Sequence, residues 1–166
     1  MNNQGLFTRR EALELSGATS NQLQYLERSG LIIPSRDTKN RKKPLVFYTW
    51  EQILEIRAVR NLSKQNVSLQ TRRKIIEFLN NSKINNRFRD KLLIAVDENV
   101  FWVNQDWSDL GKKMTKIFPG ETDITQSSLI VVPALQDIIK QVWEVAEKSQ
   151  IVDLKEFKKR AKAKPV

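Results

Sequence analysis

The 166-residue sequence contains no cysteine and no histidine. Without cysteine there are no disulfides, no thiolate nucleophiles and no cysteine-ligated metals. Without histidine the commonest general base and the usual zinc ligand are gone. Carboxylates alone can hold magnesium for a nuclease, but Asp97, Glu98, Asp106 and Asp109 show no convergent pattern. No catalytic residue, metal ligand or cofactor is therefore expected, and the chain reads as a non-enzyme. No window approaches the apolar length of a bilayer span. The opening Met-Asn-Asn-Gln-Gly is neither basic nor followed by an apolar run, so it does not read as a signal peptide. A soluble, cytoplasmic protein is expected.

What is abundant is positive charge. The formal net charge is +10, with a pI near 9.9. Residues 1–80 hold 14 Lys+Arg against 7 Asp+Glu, a balance of +7; residues 81–166 hold 15 against 12, a balance of +3. A basic balance suits a phosphate backbone, where each neutralised phosphate releases counterions. About 40% of the residues are hydrophobic, enough for one ordinary domain or two small ones.

Residues 7–31 carry the strongest local signal. Ala12, Leu13 and Leu15 give a first helix an apolar face. Thr8 caps its start and Glu11 completes a capping box, each satisfying an orphan N–H. Gly17 suits the left-handed conformation that ends a helix. Thr19 restarts one, with Leu23 and Leu26 inward. This is the spacing of a helix-turn-helix, whose second helix enters a major groove. Asn21, Gln22, Gln24, Tyr25 and Arg28 are its outward side chains, of the type that read base edges and hold phosphates.

Gly30 closes the second helix, and an extended segment follows. Arg36, Lys39, Arg41, Lys42 and Lys43 crowd a polar loop before a second extended segment, residues 45–48. Two short strands around a basic loop make a wing. Thr49 caps a third helix near 50–63, with Ile53, Leu54, Ile56, Val59 and Leu62 inward. Ser68 caps a fourth near 69–80, with Leu69, Ile75, Ile76 and Leu79 inward.

This order resembles the MerR family of bacterial transcription regulators. Residues 17–31 align without gaps to that family's GVSVRTLRYYEREGL pattern. Gly17, Leu23, Tyr25, Glu27, Arg28, Gly30 and Leu31 match it outright. Tyr48-Thr49 and residues 66–69 match its later signals, so the resemblance covers residues 6–80. It implies a winged helix-turn-helix that binds double-stranded DNA as a dimer. The family's usual arginines fall at Asn21 and Gln24 here, which points to a different base preference. For Tyr25 the resemblance implies a phosphate contact; packing at a helix end is the alternative. Glu27 reads as a charge partner inside the domain. Metal-sensing and thiol-sensing members use cysteines, so this chain cannot sense by that route.

The second half lacks the long coiled-coil helix of typical members. Residues 80–86 are polar and turn-prone, a break between units. Residues 92–96 and 100–103 read as a β-hairpin. Residues 106–118 read as a short helix and 128–132 as a strand. Pro133 opens an amphipathic helix with Leu135, Ile138, Ile139, Val142, Trp143 and Ala146 on one face. Asp153 and Glu156 cap a last helix carrying Leu154 and Phe157. Residues 158–164 form a basic tail, read as a solubilising end that can add salt-sensitive affinity. Trp102 and Trp107 read as core or dimer packing, with a pocket as the alternative.

The expected architecture is mainly α with small β elements. A winged helix-turn-helix DNA-binding domain, residues 1–80, precedes a small α+β dimerisation domain, residues 87–166, with a basic tail. In size and layout the chain resembles the compact cyanobacterial MerR-type repressors found beside CRISPR-associated transposons (CvkR type). Candidate DNA contacts are Thr8, Thr19, Asn21, Gln22, Gln24, Tyr25, Arg28, Arg36, Lys39, Arg41, Lys42, Lys43 and Tyr48. Candidate dimer contacts are Phe101, Trp102, Leu135, Ile138, Ile139, Val142 and Trp143. The expected partners are double-stranded DNA and a second copy of the chain, with no membrane and no evident small-molecule effector. The expected function is a nucleoid-associated repressor on an inverted-repeat operator. The alternative is an architectural, excision or transposition accessory factor.

Overall fold

The computed structural model describes residues 4–39, 42–63, 67–82, 91–96, 99–104, 107–109, 112, 129–132 and 135–165. The described chain divides into two compact units, residues 1–60 with 138–166 and residues 61–137.

The first unit opens on a two-residue strand, β1 (Phe7–Thr8), and helix α1 (Arg9–Ser16). The α1 cap is reciprocal: Glu11 N–H donates to Thr8 Oγ1 at 3.2 Å, and Thr8 N–H to Glu11 Oε1 at 3.0 Å. Gly17 ends α1 at φ 71°, with its N–H on Leu13 O at 3.0 Å. Helix α2 (Ser20–Arg28) starts on a second box, with Gln22 N–H on Thr19 Oγ1 at 3.1 Å and Thr19 N–H on Gln22 Oε1 at 2.9 Å. Two boxes around one left-handed glycine set the turn locally, before any distant contact forms. Ala12 and Leu15 of α1 and Leu23 and Leu26 of α2 are then buried.

Strands β2 (Ser35–Asp37) and β3 (Leu45–Tyr48) form the wing. β1 adds to its other side, giving an antiparallel sheet in the order β1-β3-β2, with Phe7 opposite Tyr48 and Arg36 opposite Val46. β1 is a feature the sequence reading lacks: two residues show no periodicity, and only their pairing defines the strand. Helix α3 (Trp50–Ser63) begins on a third box, Thr49 with Gln52. Its Ile53, Leu54 and Ile56 complete the buried side.

The last two helices, α5 (Leu135–Lys148) and α6 (Leu154–Arg160), return to this first unit from residue 138 onward. Phe157 is fully buried, with its ring centroid 6.2 Å from Phe7, 5.9 Å from Trp50 and 5.1 Å from Trp143. Arg57 of α3 donates to Ser16 O at 3.3 Å and to Gln141 Oε1 at 3.2 Å, tying α3 to the end of α1 and to α5. Burial and the neighbouring Arg60 pull the Arg57 guanidinium below its ordinary value, against the charge of Glu144. Ser149 Oγ donates to Glu14 at 3.0 Å.

The second unit holds helix α4 (Leu69–Ser82) and strands β4 (Lys91–Val96), β5 (Asn99–Asn104) and β6 (Leu129–Val132). Ser68 Oγ accepts from Thr71 N–H at 3.2 Å at the start of α4. The sheet is antiparallel in the order β5-β4-β6, with Leu93 opposite Trp102 and Ile94 opposite Phe101. Ile94, Val96, Phe101 and Val103 pack together with Leu92. On the other face Trp102 meets Phe78 of α4, ring centroids 5.8 Å apart. Most of the expected 106–118 helix lies outside the described residues, as do Asp97, Glu98 and Asp106.

By contacts the chain divides near residues 60 and 138, so α6 and the part of α5 from residue 138 belong with the helix-turn-helix. One expectation needs correction. The dimer contacts chosen from the sequence are already covered within one chain: Phe101, Trp102, Leu135, Ile138, Ile139, Val142 and Trp143 are each 8% exposed or less. An amphipathic stripe reports that a face is buried; here its partner is the same chain.

Candidate nucleic-acid interface

The outward face of α2 carries Asn21, Gln24, Tyr25 and Arg28, all exposed, between the cap at Thr19 and the end of the helix. Gln22 is half-buried, and its Oε1 is held by the Thr19 N–H. Its amide is therefore committed to the cap, which leaves Asn21 and Gln24 as the carboxamides free of that duty. Thr8 and Thr19 are exposed but spend their hydroxyl oxygens on the caps. Arg36, Lys39, Lys42 and Lys43 are exposed along the wing, and Lys39 N–H is braced on Asp37 Oδ1 at 3.1 Å. Arg41 lies outside the described residues.

Tyr48 is the correction among the proposed DNA contacts. It is fully buried, and its hydroxyl donates to the Glu27 carboxylate and accepts from Arg9 Nη1 at 3.0 Å. Burial first, then the Glu27 hydrogen bond and charge, push the phenol well above its usual range, against Arg9. A phenol held this way is a fixed neutral strut, not a surface contact.

Arg9 is the residue the sequence reading passed over. Its guanidinium also reaches Glu27 at 2.8 Å and, at 3.4 Å each, the carbonyl and hydroxyl of Ser20. One side chain at the start of α1 thus ties both ends of α2 and, through Tyr48, β3. The available signal was its position: a cation in a helix's first turn opposes the helix dipole, so it needs a partner elsewhere. Glu27 is that partner.

The assembled face is a capped helix with exposed hydrogen-bonding side chains, beside a cationic wing, on a frame locked by Arg9, Glu27 and Tyr48. Residues 7–79 match the family model described as MerR HTH family regulatory protein. This part of the chain is a MerR-type DNA-binding domain. Comparison with curated proteins returned no match. Among the described residues, no group of three or more acidic side chains is placed to hold a metal ion. Among them, too, no helix is long and apolar enough to cross a membrane.

Proposed function

We propose that the chain is a sequence-specific transcription repressor, binding an inverted-repeat operator as a homodimer. The observation that carries this reading is the exposed Asn21 and Gln24 on a capped α2 beside the cations of the wing. Asn and Gln bridge N6 and N7 of adenine in the major groove. The wing lysines hold phosphates and fix register without reading sequence. A single winged domain covers little duplex, and a two-fold pair reads a repeat whose spacing the dimer sets. The seven side chains first assigned to the dimer are internal, so the contact between copies is assigned to other surface. The narrower reading, a compact repressor of the CvkR type, rests on size and layout.

Footprinting on the DNA flanking the protein's own gene tests the proposal. One or two discrete protected sites over a promoter support it. Protection over several adjacent sites near the ends of a mobile element, with bending, supports an accessory factor instead. Asn21→Ala or Gln24→Ala should weaken specific binding by about 1–3 kcal/mol and relax preference at one position. Lys42→Ala with Lys43→Ala should weaken specific and random DNA alike.

A further inference from the structure

The basic C-terminal segment is not a loose end. Arg160 closes on Glu11 with two bonds of 2.8 and 2.6 Å, and both side chains are about 15% exposed. The same guanidinium donates to Leu6 O at 3.2 Å and lies 4.4 Å from the Phe7 ring centroid. Beyond the helix, Lys162 Nζ meets Glu51 at 2.9 Å, and Ala163 O accepts from Trp143 Nε1 at 2.8 Å. Every one of these anchors lies in the unit that carries α2 and the wing.

Between residues 153 and 164 there are six cations against two carboxylates, Asp153 and Glu156. Asp153 is occupied in capping α6, and Glu156 pairs with Lys159 at 3.1 Å. Cations in the last turn of α6 suit the negative end of that helix, which accounts for Lys158 and Lys159. It does not account for Lys155 before that turn or for Lys164 after it, both exposed, whereas Lys162 has Glu51 as its partner. The anchor point is the first turn of α1, beside the exposed Arg10. In a helix-turn-helix the first helix crosses the DNA backbone. A rigidly held cation loses less on meeting a phosphate than a mobile one, because its chain is already ordered.

We propose that the lysines of α6 and the segment after it form a second phosphate-binding surface, engaging the duplex backbone beside the groove that α2 occupies. This rests on the DNA-binding reading above and extends its footprint beyond the wing. The surface adds affinity and salt dependence without base preference.

The test uses the whole chain and a random-sequence duplex, with affinity followed by fluorescence anisotropy over a salt series from about 50 to 200 mM. Lys155→Gln, Lys158→Gln and Lys164→Gln are made singly and together. A control removes the same charge at Lys74, Lys112 and Lys140, all exposed elsewhere. The C-terminal triple variant is expected to flatten the slope of log affinity against log salt by about 2–3 units, near 0.9 per lost contact. The control is expected to change it by much less. An unchanged slope, or equal change in both sets, overturns the proposal. The single variants carry the same reading, so misfolding of the triple does not remove the test. If the wild-type chain binds no duplex at all, the DNA-binding reading itself fails, which is a separate result.

Discussion

Replacing Phe157 with Ala is the most direct test of how the DNA-binding unit is built. The ring is fully buried and shares its space with Phe7 of β1, Trp50 of α3 and Trp143 of α5. Deleting a buried phenyl costs about 3–5 kcal/mol, the lost transfer energy plus the cavity left behind. The ring–ring contacts, about 0.5–1.5 kcal/mol each, are part of that sum and not an addition to it. A domain's whole stability is about 5–15 kcal/mol, so this one side chain controls a large share. For a unit of this size each kcal/mol moves the midpoint by about 4–8 °C. The variant should therefore melt at least 12 °C or so lower, taking the lower bounds of both ranges. Thermal unfolding followed by far-UV circular dichroism reads the shift, and duplex binding should be lost over the same interval. A chain shortened to end at residue 137 should behave likewise, because it lacks Phe157, Trp143 and Arg160 together. A loss below about 1 kcal/mol on Phe157→Ala, or a shortened chain that keeps full stability and DNA binding, refutes the reasoning. The winged domain then closes its own core and α6 is an accessory.

Three further outcomes follow from single groups. Burial works against the charge on Glu11, but Arg160 and the Thr8 hydrogen bonds outweigh it and hold the carboxyl below its ordinary value; the stability this pair gives is present above about pH 4.3, where a free glutamate ionises, and is lost as the pH falls through the folded value. Arg160→Met should remove that acid limb of the pH–stability curve, and a curve unchanged from wild type counts against the pairing. Glu55 is 8% exposed, and burial together with Glu51 pushes it up to about 7. Its contribution is full in acid and lost as the pH climbs through that value, so Glu55→Gln should raise stability by about 3–4 kcal/mol above pH 8 and by nothing near pH 4; urea titrations at the two pH values decide it. Gly17→Ala should cost about 1–2 kcal/mol for the left-handed backbone, with the end of the Arg57 side chain, 2.9 Å from a Cβ there, having to move aside; no change in the urea midpoint would mean that the turn is not held in that conformation.

The helix-turn-helix was legible because each of its instructions is short-range. A capping box spans three residues, a left-handed glycine acts on its own peptide, and the apolar spacing repeats within two turns. The sequence names Thr8, Glu11, Gly17, Thr19, Leu23 and Leu26, and the same residues make those contacts in the structure. The hairpin of β4 and β5 was legible for the same reason, since its strands pair across a two-residue gap. What was not legible depends on distant partners. β1 exists only as the neighbour of β3, and Tyr48 is internal only because Arg9 and Glu27 converge on it.

The C-terminal helices show why a local signal with the right face can still give the wrong partner. The stripe on α5 specifies burial, and burial between copies and burial within a chain have the same periodicity. Deciding between them needs the partner's address, and here Arg160 and Glu11 stand 149 residues apart. Two charge anomalies call for partners that the local sequence does not supply. Arg9 and Arg10 sit at the positive end of α1, where cations are unfavourable without an external carboxylate or phosphate. Glu27 answers for Arg9. For Arg10 the same logic points outward, to the backbone that the first helix of this motif crosses. The basic run after Asp153 poses the same question, because Arg160 finds its carboxylate within the fold while Lys155 and Lys164 face solvent. A cation that the fold does not require, held on an ordered frame beside a DNA-binding helix, is most economically explained by a phosphate.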